Sequence, residues 1–275
     1  MDTQIIDGRQ LGQEILSDIQ LKLTQLSIHP KLLILQVGED PASTQYVELK
    51  KKKGTLVGIE IIIERIEDGN SEDINGRVSE LIAKNKDLVD GIMIQLPLPQ
   101  NTNTEELLAL IPAELDVDGL TLQKSPWNTA VANAVLHIMR VNQEISRTST
   151  VLVLGEAPYV GASIVSALKK EDYEYVTSVN ENTPHKAQHL RKAKVVISCI
   201  GKPHIYHAQQ LHKRAVLIDV GTSEDREGKI VGDFDVSKAQ GYLSAYTPVP
   251  GGVGPMTVAM LLKSVSDNAI KRHSR

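Results

Sequence analysis

The sequence predicts an α/β fold in which parallel sheets are covered by helices on both faces. Apolar runs at residues 31–37, 91–96, 151–155, 195–200 and 215–220 are continuous rather than alternating, the pattern of strands buried on both sides. Between them, apolar residues recur at helical spacing, as in Leu11, Ile15, Ile19, Leu23 and Leu26, and again at Ile164 and Leu168. A length of 275 residues suits two domains. The first is expected over 1–120, completed by a C-terminal helix over about 256–275, and the second over 121–255, with a cleft between them. Asp116-Val117-Asp118-Gly119 and Gln123-Lys124-Ser125-Pro126 mark the boundary.

Composition narrows the function classes. A net charge of −4 gives no footprint for nucleic acid or an acidic membrane. No apolar run reaches the roughly 18 to 20 residues of a membrane span, and Met1-Asp2-Thr3-Gln4 does not read as a secretory signal. A cytoplasmic protein is expected. The single cysteine, Cys199, excludes an intrachain disulfide framework and a multi-thiolate metal site. Its apolar surroundings predict a buried structural thiol, and no metal centre is expected. Aromatic residues make up only 3% of the chain, so the core must be aliphatic.

The candidate chemistry follows in chain order. Ala42 to Lys50 opens a helix, with Asp40-Pro41 or Ser43 as its start signal. Tyr46 and Lys50 are four apart and share a face. A phenol beside an amine can orient a substrate and move protons if burial lowers the amine's pKa; the bland alternative is that Lys50 to Lys53 form a solvated face. Gln95 ends the apolar run stopped by Pro97 and Pro99, where ligands gather in parallel sheets, although an amide there serves a neighbouring turn equally well. Asp118 suits the edge of an amidine-like ring, a carboxylate accepting two parallel N–H bonds; an Asx-type turn is the competing role. Val151-Leu152-Val153-Leu154-Gly155, followed by Glu156-Ala157-Pro158-Tyr159-Val160-Gly161, is a strand, a glycine turn and a helix start, suited to a pyrophosphate. Thr247-Pro248-Val249-Pro250-Gly251-Gly252-Val253-Gly254-Pro255-Met256-Thr257 has too many prolines and glycines for a regular element. It predicts a stiff loop that offers backbone groups to a flat polar ligand before the last helix.

Together these segments resemble the bifunctional methylenetetrahydrofolate dehydrogenase/methenyltetrahydrofolate cyclohydrolase family over nearly the whole chain. The resemblance also rests on Ile6-Asp7-Gly8, Val37-Gly38, Gly58-Ile59, Gly201-Lys202-Pro203, Asp219-Val220-Gly221 and Gly232-Asp233. It implies a folate-binding α/β domain and a Rossmann-like NAD(P)-binding domain, in a homodimer acting on tetrahydrofolate derivatives. It makes Lys50 the proton-handling residue, held by Tyr46 and Gln95, with Asp118 on the pterin edge. Leu96 and the loop residues Pro248, Gly251, Gly252, Val253, Gly254 and Pro255 would line the folate. The cofactor, NADP by resemblance, would meet Gly155, Glu156, Ala157, Val160, Gly161, Asn180 and Thr222.

The second domain departs from that pattern. The family's Gly-Arg-Ser turn reads Gly155-Glu156-Ala157, and its Val-Gly-x-Pro reads Val160-Gly161-Ala162-Ser163. Its Cys/Ser-His pair reads Val179-Asn180, its Pro-Cys-Thr-Pro reads Trp127-Asn128-Thr129-Ala130, and its lysine before Asp-Val-Asp-Gly is Leu115. A carboxylate about 4 Å from the NADP 2′-phosphate would cost about 1 to 4 kcal/mol per charge pair. NAD is therefore an alternative cofactor, with Glu181, about 26 residues beyond Gly155, placed to hold a free ribose hydroxyl. The alternatives to a bifunctional enzyme are a cyclohydrolase with an impaired dehydrogenase step and a non-catalytic folate-binding protein.

Overall fold

The computed structural model describes residues 2–100, 102–121 and 124–274. Leu122 and Gln123, in the expected boundary stretch, lie outside the described residues. The chain forms two compact units, residues 13–130 with 258–275 and residues 1–12 with 131–257. At the N-terminus this differs from an expected first domain over 1–120. The physical reason is β1 (Gln4–Ile5), which pairs in parallel with Ala245–Tyr246 and so joins the second unit's sheet.

In the unit built on 13–130, β2 (Lys31–Val37) runs between β3 (Glu60–Ile66) and β4 (Gly91–Ile94), all parallel. Leu32 to Leu35 are completely buried, as a central strand with helices on both faces requires. The connections are α2 (Pro41–Leu56) and α3 (Ser71–Asn85). Asp40 caps α2, its carboxylate accepting from the Ser43 N–H at 2.7 Å, with Pro41 at the first helical position. Of the two start signals, the Asp40-Pro41 pair is the one used. From α8 (Val253–His273), Asn268 donates to the carbonyls of Asp90 at 2.7 Å and Glu114 at 2.8 Å, tying the last helix into this unit.

The other unit carries a six-stranded parallel sheet. Its order is β1, Ala245–Tyr246, Val216–Asp219, β7 (Val195–Ser198), β5 (Thr150–Leu154) and β6 (Tyr175–Val179). β5 therefore has β6 on one side and β7 on the other, so strand order reverses at its C-terminal end, where ligands bind in doubly wound sheets. A helical segment, Pro158–Ala162 continued by Ser163–Lys170, follows that end.

The expected helix after the 247–257 loop begins earlier than residue 256. α8 starts at Val253, with Gly254 and Pro255 in its first turn, where a proline costs no hydrogen bond. The loop before it is fixed by close approach: a Cβ on Gly8 would lie 1.8 Å from the Gly252 carbonyl oxygen, and one on Gly252 would lie 2.6 Å from that of Pro248. Gly251, at φ +115°, takes a conformation that suits glycine. The Thr247 hydroxyl accepts from the Asp219 N–H at 2.8 Å, fastening the loop to its sheet.

Candidate active site

Lys50 lies on the buried stripe of α2, which runs Ser43, Val47, Lys50, Gly54. A Cβ on Gly54 would meet Ile61 at 2.6 Å, so this glycine lets α2 lie close on β3. The lysine run divides: Lys51 and Lys52 are solvated, Lys53 is half-buried, and Lys50 is buried with 9% of its surface exposed. The solvated-face reading holds for the first two and fails for Lys50.

Gln95 follows β4, with its N–H bonded to the Leu35 carbonyl at 2.9 Å. Its Nε2 donates to the Leu96 carbonyl, which fixes the amide so that Oε1 faces the amine. Lys50 Nζ donates to that Oε1 at 2.7 Å. Leu96 thus contributes backbone rather than side chain to the arrangement.

Asp118 is delivered by Asp116, which forms a parallel bridge with Ile92 of β4. Asp116 is fully buried, and its carboxylate accepts from the N–H groups of Leu120 at 3.2 Å and Thr121 at 2.9 Å and from the Thr121 hydroxyl at 2.7 Å. The turn itself is organised by Asp116, while the Asp118 carboxylate accepts a backbone hydrogen bond from Ala130, the first residue of the next helix, so its local role holds in part. Gly119, at φ +69°, completes the bend; a Cβ there would lie 2.5 Å from the Asn128 carbonyl oxygen.

Lys50 and Asp118 sense each other. Burial lowers the Lys50 pKa from its ordinary value, and the Asp118 charge partly offsets this. Burial pushes Asp118 up to about 6, against the pull of Lys50, while the Asp116 charge adds to the rise. An amine whose neutral form is favoured and a carboxylate whose protonated form is favoured make a pair suited to proton handling.

Tyr46 stands one turn before Lys50 and is 46% exposed, at the border of the buried stripe. It shares the lysine's side of the helix without being buried with it. Sequence reasoning treated Ser43 only as a start signal. Its hydroxyl is buried two turns before Lys50 without a hydrogen-bond partner among the described residues, and the seven-residue spacing was the signal available.

In the other unit, a cavity of about 300 Å³ opens at the C-terminal end of β5. Gly155, Glu156, Ala157 and Asn180 line it. Val160, Gly161 and Thr222 do not: Gly161 supports the turn from behind, where a Cβ would lie 2.0 Å from the Gly155 carbonyl oxygen, and Thr222 is exposed beyond Gly221. Gly155 has φ +93°, and a Cβ there would lie 2.7 Å from the Cys199 carbonyl oxygen, so only glycine fits the turn. The helical segment that follows opens on Pro158, which has no N–H, and its Val160 N–H bonds to the Ala157 carbonyl at 3.1 Å, so the glycine turn rather than the helix end is the part open to a ligand. This turn, its cavity and the strand reversal fit a dinucleotide.

Asp233, fully buried, holds the loop on the cavity's far side. It accepts from the Ser198 hydroxyl at 2.6 Å and from the N–H groups of Ile200, Gly201 and Lys202 at 2.8, 2.8 and 2.9 Å. Cys199 is half-buried on the cavity wall. Burial, with the charges of Asp233 and Asp219, drives its thiol pKa far up, so it is no nucleophile. No group of His, Cys, Asp and Glu among the described residues could hold a metal ion, and none of the described helices is long and apolar enough to cross a membrane.

A lysine–carboxylate centre on one α/β unit and a dinucleotide-type turn on another define a two-unit enzyme of the cofactor-dependent class. The chain matches the tetrahydrofolate dehydrogenase/cyclohydrolase catalytic domain over residues 6–118 and the NAD(P)-binding domain of the same family over 129–273. The chain belongs to the tetrahydrofolate dehydrogenase/cyclohydrolase family. It is 31% identical to the bifunctional protein FolD of Latilactobacillus sakei over 99% of both chains. With that of Thermus thermophilus it shares 33% identity, over 99% of this chain and 98% of the relative. The bifunctional FolD structure from Campylobacter jejuni superposes with a TM-score of 0.90 at 27% identity, covering 98% of this chain and 99% of that one. The Trypanosoma brucei enzyme, solved with NADP cofactor and an inhibitor, gives 0.88 at 28% identity, covering 100% and 99%.

Proposed function

We propose that the protein oxidises 5,10-methylenetetrahydrofolate to the 5,10-methenyl cation with NAD(P) and hydrolyses that cation to 10-formyltetrahydrofolate. The observation that carries the hydrolytic half is the Lys50–Gln95 hydrogen bond beside a charge-coupled Asp118. The methenyl carbon is an electrophile flanked by two nitrogens. Water attacks it, the water's proton passes to the neutral Lys50 amine, and the bond to one ring nitrogen then breaks as that nitrogen takes a proton from the ammonium. Gln95 Oε1 keeps the amine's lone pair aimed, and Asp118 accepts N–H bonds from the pterin. Tyr46 closes over the bound substrate from the exposed edge of α2.

When bound, the dinucleotide supplies the hydride acceptor for the first step. The chain's part there is to seat it, with Gly155 allowing close backbone approach and Ala157 leaving the turn uncrowded. Family membership supports reading the protein as a cytoplasmic homodimer.

Absorbance assays separate the two halves. Enzyme-dependent decay of methenyltetrahydrofolate without dinucleotide is the expected result for hydrolysis, and reduction of NAD or NADP with methylenetetrahydrofolate for dehydrogenation. Decay without reduction of either cofactor would leave a cyclohydrolase alone, and the absence of both would contradict the assignment.

A further inference from the structure

We infer that Glu156, held by Asn180, reads the adenosine ribose of the dinucleotide and makes the protein select NAD over NADP. The inference rests on the dinucleotide reading of the β5 cavity and adds its chemical preference. In doubly wound sheets the ribose lies near the end of the strand after the glycine turn, where an acid can grip its 2′-hydroxyl. That strand is β6, and Asn180 is the first residue beyond it. Asn180 Nδ2 donates to Glu156 Oε2 at 2.7 Å, so a carboxylate from the glycine turn is pinned at the strand end.

Asn180 is itself immobilised. Its N–H donates to the Thr183 hydroxyl at 3.0 Å, and its Oδ1 accepts from the Asn182 N–H at 3.0 Å and from the Thr183 hydroxyl at 3.2 Å. The pinned carboxylate presents Oε1 as an acceptor, which suits a hydroxyl and repels a phosphate.

The other charges lining the cavity are Glu181, Lys186 and Lys202. Glu181 adds negative charge on the same turn. Lys186 Nζ donates to the Glu181 carbonyl at 2.8 Å, which holds that ammonium on the 181–185 turn. Lys202 follows β7, across β5 from β6 in the strand order, which places it toward the pyrophosphate side rather than the ribose side. Two acids, one of them fixed by an amide, therefore line the β6 end of the cavity with one tethered lysine. The sequence pointed to Glu181 as the ribose acid; the hydrogen bonding favours Glu156.

Calorimetric titration of the full-length protein with NAD and NADP, and with 5′-AMP and adenosine 2′,5′-bisphosphate, tests this without turnover. NAD is expected to bind at least about tenfold more tightly than NADP, roughly 1.4 kcal/mol, with 5′-AMP preferred over the bisphosphate in the same sense. Glu156→Gln keeps an acceptor for Asn180 but removes the charge, and should narrow the ratio to about threefold or less by tightening NADP. Equal or tighter NADP binding by the unaltered protein would overturn the inference and give the 2′ position to Lys186. An equal shift of both cofactors in Glu156→Gln, or binding of neither, would overturn it too. Methenyl hydrolysis by the unaltered protein, measured without dinucleotide, shows separately whether the folate reading stands.

Discussion

Lys50→Met should abolish methenyltetrahydrofolate hydrolysis, with kcat falling about a thousandfold, while the protein stays folded. The magnitude follows from losing a positioned base, which contributes about 10² to 10⁴ in rate. The amine is buried and its pKa is already lowered, so a methionine of similar volume relieves a desolvation cost rather than opening a cavity. Gln95 Oε1 loses its 2.7 Å partner, a cost of about 1 to 3 kcal/mol that this relief offsets. Stopped-flow hydrolysis and urea unfolding of the same preparation give the two readouts. A rate drop accompanied by an equal collapse of stability would make Lys50 structural, and a drop of less than tenfold would remove it from the chemistry.

Asp118→Asn should act on binding and on pH dependence rather than mainly on kcat. Charge-assisted hydrogen bonds are worth about 1.5 to 3 kcal/mol, so KM for the folate should rise about ten- to a hundredfold. The carboxylate's pKa is pushed up to about 6, chiefly by burial. In the unaltered protein it is therefore protonated below that pH and loses an acceptor. Hydrolytic kcat/KM should fall as pH drops through about 6, and in Asp118→Asn this acid limb should vanish. A variant that keeps the limb would show that another group titrates there.

The strands legible in the sequence share one property: they are buried on both faces. β2 and β4 stood out as unbroken apolar runs because helices cover both of their sides. The edge strands β3 and β6 did not, because polar residues interrupt them: Glu60, Arg65 and Thr177 are exposed, and Glu64 and Ser178 only half-buried. The two-residue strand β1 carries no periodicity at all, which is why its pairing with Ala245–Tyr246 was not legible.

The site was legible as a set of residue types at helical or strand-end positions, and Lys50, Gln95 and Asp118 do come together. Which acid organises the turn was not legible, since Asp116 and Asp118 are chemically identical and only the bridge of Asp116 to Ile92 distinguishes them. The Glu156–Asn180 contact spans 24 residues and joins the ends of two strands. No local pattern encodes that proximity.

The most direct test of the central claim, an amine on α2 tuned by burial and coupled to Asp118, is an NMR titration of the Lys50 ε-carbon. Its resonance in lysine-labelled protein is assigned by its absence from Lys50→Met. The account predicts titration below the ordinary lysine value of about 10.4, moving lower still in Asp118→Asn because the offsetting negative charge is gone. A Lys50 signal that titrates with the surface lysines and ignores Asp118→Asn would contradict it.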